Sequence, residues 1–374
     1  MGRKTVLLVV TLLLGGGFLL LSEERIRVGV FDGYGGAQTC VWEAVEAVKV
    51  DPAMEVETVT PSQIASRALD RLDVLIIPGG GGSRQFLTLG AENHERIRRF
   101  IESGKGALGI CAGAYLFSNT PGYASLALNG NKAIDIEHDN RGHGVVKFSL
   151  TPEGKRLFPE LAQRPMNYLV YYEGPVFVDA QDGVRHDLLA LMESDVHEEG
   201  DAPANMTNRK PFIVTNGYGK GRIVSVIAHP EATPGMRWMV PRMVRWAARR
   251  DFVPYAPQVV RPALFEREIL FSKEMLKREA GYFTTLLYGG EGDKIAALDW
   301  LQENLSWDAK RWVQGLLYDS SPRVRERAAR YVRECEFTMY RTDLEAAKRS
   351  ETDPRAREEM ARGSVFFTEL QPDR

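Results

Sequence analysis

The stretch Ala107-Leu-Gly-Ile-Cys-Ala-Gly-Ala-Tyr115 decides how the rest of this sequence is interpreted. Its first half is typical of a buried strand, and the strand ends at Cys111 between Gly109 and Gly113. Small flanking residues are required where a strand turns sharply into a helix, because larger side chains would collide with that helix. Cysteine is also the readiest nucleophile near neutral pH. The pattern therefore predicts a nucleophile elbow, although a packed turn with an inert thiol has the same pattern.

A second apolar run, Arg222-Ile-Val-Ser-Val-Ile-Ala-His-Pro-Glu231, ends in a histidine and a carboxylate. We expect a buried strand that delivers His229 and Glu231 at its carboxyl end, where open α/β sheets place their ligand sites. A neighbouring imidazole holds a cysteine as its thiolate, and a carboxylate two residues along fixes the imidazole tautomer. We therefore predict that Cys111, His229 and Glu231 are catalytic. The alternative is a capping histidine and a solvated glutamate.

A glycine run follows a third apolar strand, Asp73-Val-Leu-Ile-Ile-Pro78. No side chain shields the backbone N–H groups of Gly79-Gly-Gly-Gly82. We expect the amides of Gly80 and Gly81, with that of Ala112, to stabilise the oxyanion of a tetrahedral intermediate. A flexible turn is the alternative. A phosphate-binding P-loop is excluded, because no Gly-Lys-Ser/Thr follows the glycines.

These three pieces, in this order, resemble the class I glutamine amidotransferase-like fold, and within it the family of the biotin-protein ligase N-terminal domain. The resemblance covers roughly residues 26–250, and it implies that Cys111 is the nucleophile, His229 its base and Glu231 the residue that orients the base. The chain has no counterpart of the ligase catalytic domain, so we expect no biotin transfer. The residues that carry the resemblance are Ile77-Pro-Gly-Gly-Gly81, Gly109-Ile-Cys-Ala-Gly-Ala-Tyr115, Tyr171-Tyr-Glu-Gly-Pro-Val-Phe177 and Gly219-Lys-Gly-Arg-Ile-Val-Ser-Val-Ile-Ala-His-Pro-Glu231.

The alternation of strand and helix patterns predicts the fold class. It implies an α/β fold, flavodoxin-like, with a mostly parallel sheet sandwiched by helices. From Lys132 to Ser194 the pattern changes to short β segments, which predict an antiparallel extension that forms one wall of the pocket. The predicted strands are Ile26–Phe31, Met54–Val59, Asp73–Ile77 and Ala107–Cys111, and the predicted helices are Ala37–Val48, Ser62–Leu69 and Glu92–Ser103.

Within that extension, Tyr171, Tyr172 and Glu173 are candidate substrate contacts. An aromatic pair beside a carboxylate can hold an amine or amide group, but buried strand aromatics give the same pattern. The acidic residues and histidines between Asp135 and His143 have no known metal-ligand spacing, and solvated loop residues explain them. We therefore expect neither a metal nor a cofactor.

The first 21 residues predict a targeting segment. Met1-Gly-Arg-Lys4 is positively charged, and the uncharged run from Thr5 to Leu21 is rich in Leu and Val. As a helix this run spans roughly 25 Å, near the lower limit for crossing a bilayer. It ends in bulky leucines, which favours an uncleaved signal anchor over a cleaved signal peptide, with a buried amino-terminal strand or helix as the third alternative. Either targeting interpretation places the body on the extracytoplasmic side, membrane-anchored or secreted.

The composition sets further bounds. A formal net charge of −2 over 374 residues argues against nucleic acid as a partner. The length is sufficient for two domains with a sizeable core in the first. The three cysteines, Cys40, Cys111 and Cys335, are too few for a disulfide framework, and at least one has no partner within the chain.

The carboxyl-terminal third is predicted to be helical. A basic helix from Met236 to Arg250 precedes a proline-containing linker at 251–263, and helices continue over 264–374. The segments Ser321–Tyr331 and Asp353–Ala361 share a Pro-Arg-x-Arg-Glu core that resembles half of a HEAT-type repeat. Two copies are fewer than the three that a solenoid needs, so a small helical bundle is an equal alternative. Either arrangement would serve for contact with a protein partner.

Two classes of function fit these residues. The first is a membrane-tethered or exported amidotransferase-like cysteine hydrolase that cleaves a small amide or peptide through a thioester on Cys111. The second is a non-catalytic protein that binds a small molecule or peptide in the same pocket and uses the helical tail as a protein-contact module. The presence of Cys111, His229 and Glu231 at strand ends favours the enzyme.

Overall fold

A mixed sheet of ten strands forms the centre of the computed structural model, which describes residues 25–197, 199–200 and 202–372. The strands of the described chain are β1 (Ile26–Phe31), β2 (Met54–Val59), β3 (Val74–Ile77), β4 (Gly106–Ile110), β5 (Asn131–Ala133), β6 (His143–Leu150), β7 (Asn167–Tyr172), β8 (Phe177–Asp179), β9 (His186–Met192), β10 (Pro211–Tyr218), β11 (Gly221–Val226) and β12 (Ile269–Leu270). The helices are α1 (Gln38–Val48), α2 (Pro61–Ala65), α3 (Gly82–Glu102), α4 (Ala112–Phe117), α5 (Pro152–Leu157), α6 (Met239–Ala247), α7 (Lys273–Tyr288), α8 (Glu291–Glu303), α9 (Ala309–Leu316), α10 (Pro322–Glu334), α11 (Arg341–Ser350) and α12 (Pro354–Leu370).

The order of the strands places the carboxyl ends of β3, β4 and β11 side by side. The strand order is β12-β6-β9-β10-β11-β4-β3-β1-β2, with β7 paired to β6, and β5 and β8 form a separate ribbon. Strands β2, β1, β3, β4 and β11 are parallel, whereas β10, β9, β6, β7 and β12 are joined by antiparallel pairs. Ile77 pairs with Gly109 and Val226 with Ile110, so β3, β4 and β11 end level with one another. The predicted α/β fold and its antiparallel extension are therefore confirmed.

Helices cover both faces of the parallel strands, which explains why these strands are apolar throughout. Helices α1 and α6 pack on one face, and α3 and α4 pack on the other. The first face is filled by buried side chains such as Val30, Ala44, Ile76, Leu108 and Val244. The second is filled by Leu75, Ile77, Ile97, Ala107 and Leu116.

The carboxyl-terminal helices pack on the sheet domain as well as on one another. Strand β12 pairs with β6, so the chain first joins the sheet and then enters α7. Farther on, Gln371 donates to the backbone oxygen of Glu46 on α1 at 2.7 Å. Helices α10 and α12, which carry the repeated core, contact each other through an Arg333–Glu359 ion pair of 2.7 Å. The predicted helical region is confirmed, while its likeness to a HEAT repeat stays a prediction.

Several predicted helix bounds are wrong for local reasons. Helix α3 begins at Gly82 rather than Glu92, because Gly90 (φ 73°, ψ 158°) joins two helical stretches across a kink. Glycine has a low helix propensity, so a helix that begins at the last of four successive glycines was not predicted. Helix α2 ends at Ala65, since Arg67 adopts a left-handed backbone conformation (φ 70°).

The targeting prediction concerns residues 1–21, which lie outside the described residues. Among the helices that the structure describes, none combines the length and the apolar character needed to cross a membrane.

Candidate active site

Cys111 lies at a sharp turn between β4 and α4. Its backbone has φ 51° and ψ −107°, a conformation that a residue with a side chain adopts only under strain. Its N–H donates to Val226 O at 2.9 Å, which fixes the turn against β11. A Cβ on Gly109 would lie 2.6 Å from Gly113 O, and one on Gly113 would lie 2.0 Å from Ile77 O. The glycines of the predicted elbow are therefore required by close backbone contacts.

His229 and Glu231 follow β11 and form a buried pair. The distance between His229 Nδ1 and Glu231 Oε1 is 2.7 Å, and the two residues are 1% and 0% exposed. The backbone of His229 is anchored too, since its N–H donates to Val170 O at 2.8 Å and its carbonyl accepts from Thr233 Oγ1 at 2.7 Å. With Nδ1 bound to Glu231, Nε2 is the ring nitrogen left for a reaction partner.

The electrostatics of this pair favour a charged imidazole. Burial lowers the pKa of His229, but the Glu231 carboxylate and the adjacent Cys111 sulfur outweigh that effect and raise the pKa to about 10. An imidazolium next to a cysteine stabilises the thiolate form of that cysteine. The arrangement therefore suits a thiolate–imidazolium pair.

The glycine loop after β3 passes close to both His229 and the first helix. A Cβ on Gly79 would lie 2.7 Å from His229 Cε1, so only glycine fits there. The Gly81 N–H donates to Gly35 O at 2.7 Å, and the Ala37 N–H donates to Gly79 O at 3.0 Å. This bridge occupies the Gly81 amide, contrary to its predicted role as an oxyanion donor, and does not use that of Gly80.

The remaining predicted donor, Ala112, is the first residue of α4. The first N–H groups of a helix have no partner within the helix, so they are available to a ligand. Gly80 (φ 142°) lies in the neighbouring loop, and both residues line the same cavity. Gly80 and Ala112 are therefore the backbone donors that the arrangement offers to an oxyanion.

A cavity of about 410 Å³ joins these elements, within the size range of small-molecule sites. All predicted site residues except Tyr171 and Glu231 line it. Glu231 lies behind His229, and Tyr171 is fully buried against Arg141. The lining comprises Ala37, Cys40, Gly80, Gly81, Gly82, Ser83, Cys111, Ala112, Tyr115, Tyr123, Ile136, Asp139, Tyr172, Glu173, His229, Trp307 and Asp308.

Tyr172 and Glu173, at the end of β7, form the opposite wall of the cavity. The Cys111 thiol lies 3.4 Å from Tyr172 O, to which it donates. Glu173 has a left-handed backbone (φ 49°), and its N–H donates to Gly142 O at 3.3 Å. Burial, followed by the nearby Glu199 carboxylate, raises the pKa of Glu173 to about 7. Glu173 therefore changes its charge near neutral pH.

A buried ion pair holds this wall against the elbow helix. Asp135 and Arg141 are both 0% exposed and lie 2.6 Å apart. Tyr115, on the helix that follows Cys111, donates to Asp135, and Arg141 also binds Tyr171 and the carbonyl of Gly174. Asp135 thus joins the elbow helix, the Arg141 side chain and β7 through buried contacts.

Three described residues could hold a metal by proximity alone. Ligand atoms of Cys40, His229 and Glu231 lie within 4.8 Å of one another, and all three residues are buried. Burial, with the carboxylates of Glu231 and Glu43, raises the pKa of Cys40 well above its usual value. A neutral thiol is a poor nucleophile. Cys111, and not Cys40, is therefore the candidate nucleophile.

Two lining residues come from the carboxyl-terminal region and were not predicted. The Trp307 ring lies 4.7 Å from the His229 ring and 5.3 Å from the Tyr172 ring, measured between centroids. Asp308 lines the same cavity. Neither residue belongs to a motif or a periodic pattern, and only the docking of the tail brings them to the site.

The comparison with protein families agrees with this architecture. The family model described as "Biotin-protein ligase, N terminal" matches residues 26–247, which is more than half of the chain. The fold and the cysteine elbow define a class I glutamine amidotransferase-like protein, as predicted. The chain belongs to the biotin-protein ligase N-terminal family. No curated protein matches the sequence.

Solved structures are similar to this chain at low identity. A ThuA-like protein from Parabacteroides merdae has 13% identity and a TM-score of 0.44, and the match covers 62% of this chain and 93% of that one. A CTPS glutaminase domain from Trypanosoma brucei with bound acivicin has 13% identity and a TM-score of 0.39, with coverages of 61% and 96%. A cytoplasmic protein from Salmonella typhimurium has 14% identity and a TM-score of 0.37, with coverages of 60% and 97%. The assignment of the chain to its family rests on the family model.

Proposed function

We propose that the chain is an amidotransferase-like cysteine hydrolase that cleaves an amide through a thioester on Cys111. The observation that carries this proposal is the meeting of Cys111, on a strained elbow, with the buried His229–Glu231 pair in one cavity. A strained backbone persists only where the surrounding structure holds it, and such residues cluster at active sites. An inert packed cysteine requires neither the elbow nor the charged imidazole.

In the first half of the proposed reaction, the Cys111 thiolate attacks the carbonyl carbon of the amide. A C–S bond forms, and the electrons of the C=O π bond move to oxygen. The N–H groups of Gly80 and Ala112 stabilise this oxyanion, a contribution of roughly 3 kcal/mol for one donor. His229 then gives its Nε2 proton to the leaving nitrogen, the C–N bond breaks and the amine departs, which leaves a thioester.

In the second half, neutral His229 accepts a proton from water, and the resulting hydroxide attacks the thioester carbon. The tetrahedral intermediate collapses, the C–S bond breaks, and the acid and the Cys111 thiolate are released. Glu231 stays hydrogen-bonded to Nδ1 throughout, where it keeps the ring oriented and stabilises the imidazolium.

The test is to trap the acyl-enzyme on the full chain with p-nitrophenyl acetate, an activated acyl donor, and to locate the acetyl group by peptide mass spectrometry. We expect acetylation of Cys111 in the wild type and none at that position in Cys111→Ala. The control Cys335→Ala changes a buried cysteine outside the cavity and should behave like the wild type. A wild-type protein that is never acetylated at Cys111 would favour the non-catalytic binding protein.

We also propose that the enzyme is tethered to the membrane or exported. This proposal is supported by the charged start and apolar run of residues 1–21 in the sequence. Fractionation of the expressing cell is the test: full-length chain in the membrane fraction supports a tether, processed chain in the medium or periplasm supports export, and unprocessed chain in the cytosol contradicts both.

A further inference from the structure

The charged side chains that line the cavity are of one sign apart from His229. Among the residues that the structure describes, Asp139, Glu173 and Asp308 line it, and no lysine or arginine does. Within the described chain, none of these three carboxylates forms an ion pair or a side-chain hydrogen bond. Carboxylates gathered in a concave, partly desolvated site raise the local concentration of cations there. The cavity therefore attracts positive charge.

Two buried cationic side chains close to the site are already bound elsewhere, whereas the exposed Arg84 lies beside Gly81 at the rim of the cavity. Arg141 pairs with Asp135 inside the protein, 2.6 Å away. Lys310 lies 2.9 Å from Glu43 and 3.9 Å above the Trp307 ring, and it is buried. Removing either cation from its partner would leave a buried charge unpaired, which is costly. A rearrangement of these residues is thus not a route to neutralising the cavity.

The segment that carries Trp307 and Asp308 is held firmly against the site. Ser306 Oγ donates to Glu279 Oε1 at 2.5 Å and accepts from the Ala309 N–H at 3.2 Å. These bonds fix the two residues between Ser306 and α9. The segment lies outside residues 26–247, the part of the chain that matches the family. This wall of the cavity therefore comes from outside the part of the chain that matches the family.

We propose that the substrate is a cationic amide, whose ammonium or guanidinium group is bound by Asp308 together with Glu173 and Asp139. This inference rests on the proposed function, since it names the substrate class for the Cys111 site. Tyr172 lines the same cavity, and its aromatic ring is a further group that attracts a cation. The free volume of about 410 Å³ fits a small molecule or a single side chain rather than a folded partner. Asp308 is thereby a specificity-determining residue.

The test compares two thiol reagents of similar size and opposite charge. We would treat the full chain with 2-(trimethylammonium)ethyl methanethiosulfonate and with 2-sulfonatoethyl methanethiosulfonate, and follow modification of Cys111 by peptide mass spectrometry. In each reaction the thiolate forms a disulfide with the reagent and displaces methanesulfinate. The ratio of the cationic to the anionic rate constant, divided by the ratio for 2-mercaptoethanol, measures the charge preference of the cavity.

At pH 8, where Glu173 is mostly ionised, we expect the wild type to prefer the cationic reagent by about tenfold at low salt, with a smaller preference at high salt. Asp308→Asn and Glu173→Gln should each lower the preference about threefold, and Asp308→Lys should lower it further. Glu137→Gln is the matched control, because Glu137 is exposed in the same loop as Asp139 but does not line the cavity. It should leave the ratio unchanged.

The outcomes separate the two proposals. Suppose that Cys111 reacts, but that its ratio of cationic to anionic rate constants equals that of 2-mercaptoethanol or is unchanged by Asp308→Asn. Either result overturns the cationic substrate class and leaves the proposed hydrolase intact. A Cys111 that neither reagent modifies overturns both proposals, because both require an accessible nucleophile. Asp308 is exposed, so its variants are expected to fold, and thermal unfolding curves would verify this.

Discussion

The side of the cavity that carries Cys111 is shaped by backbone contacts, whereas the side that carries Trp307 is shaped by side chains from a distant part of the chain. On the first side, the absence of a side chain at Gly109 and Gly113 lets the backbones of β3, β4 and α4 lie so close together that a Cβ would clash. On the second, ring contacts with His229 and Tyr172 place Trp307 at the site.

This difference predicts different consequences of mutation. A backbone contact cannot be relaxed by a rotamer change, so substitutions on the elbow side should disrupt the site as a whole. Side chains on the tail side can be removed one at a time, so substitutions there should change access and recognition by degrees. In the proposed hydrolase, the elbow side supports chemistry and the tail side supports selection of the substrate.

The largest effect should come from Gly113→Ala, which tests whether the elbow is fixed by backbone packing. The added Cβ would lie 2.0 Å from Ile77 O, and we expect a loss of about 3 kcal/mol in the free energy of unfolding. Gly281→Ala is the control, because no atom lies within 4 Å of its added Cβ inside α7, and it should gain about 0.5–1 kcal/mol. Equal urea unfolding midpoints for Gly113→Ala and the wild type would show that the elbow relaxes.

A smaller effect is expected from Trp307→Ala, which tests whether the tail covers the site. Removal of the ring that lies 4.7 Å from the His229 ring opens the cavity, so N-ethylmaleimide should label Cys111 about threefold to tenfold faster. Trp42→Ala removes a more exposed tryptophan from α1 and should leave that rate unchanged. If both variants label at the wild-type rate, the tail does not limit access to Cys111.

The smallest effect is expected from Glu173, whose ionisation sets part of the negative charge of the cavity. Its pKa of about 7 in the native state exceeds the usual 4.5, so the stability it contributes is present below pH 4.5 and lost as pH rises through 7. Glu173→Gln should therefore raise the free energy of unfolding, relative to the wild type, more at pH 8 than at pH 5. The difference between the two pH values should be on the order of 1 kcal/mol after allowance for solvent screening.

Thermal or urea unfolding at the two pH values measures this difference. The groups that face Glu173 are Glu199 and Asp139, which favour its neutral form, and Arg141 and His143, which favour its charged form. Glu137→Gln, a change of the same chemistry at an exposed position, should show no such pH dependence. The same difference in both variants would mean that Glu173 titrates as an ordinary surface carboxylate.

The elbow side of the site was predictable because its signals are local. The glycines around Cys111 and the apolar strand before His229 lie within a few residues of the groups that they position. The alternation of strands and helices then placed both groups at the same sheet edge. These are the features from which the fold class and the family were predicted correctly.

The rest of the site depends on contacts between residues far apart in the chain. The Gly81 N–H, which we predicted to be available to an oxyanion, donates instead to the carbonyl oxygen of Gly35. Trp307 reaches His229 only because the tail packs on α1 through pairs such as Lys310 and Glu43. No periodicity or motif records such docking, so neither contact could be predicted.

Cys111 and His229 are proposed to act as one thiolate–imidazolium pair, and the alkylation rate of Cys111 by iodoacetamide at pH 7 would show whether they do. Peptide mass spectrometry would follow Cys111 in the wild type, in His229→Ala and in His186→Ala, a histidine on β9 that does not line the cavity. We expect His229→Ala to slow alkylation by about tenfold or more and His186→Ala to leave it unchanged. An equal rate in the wild type and His229→Ala would mean that Cys111 reacts without help from the imidazole, and the proposed pair would be wrong.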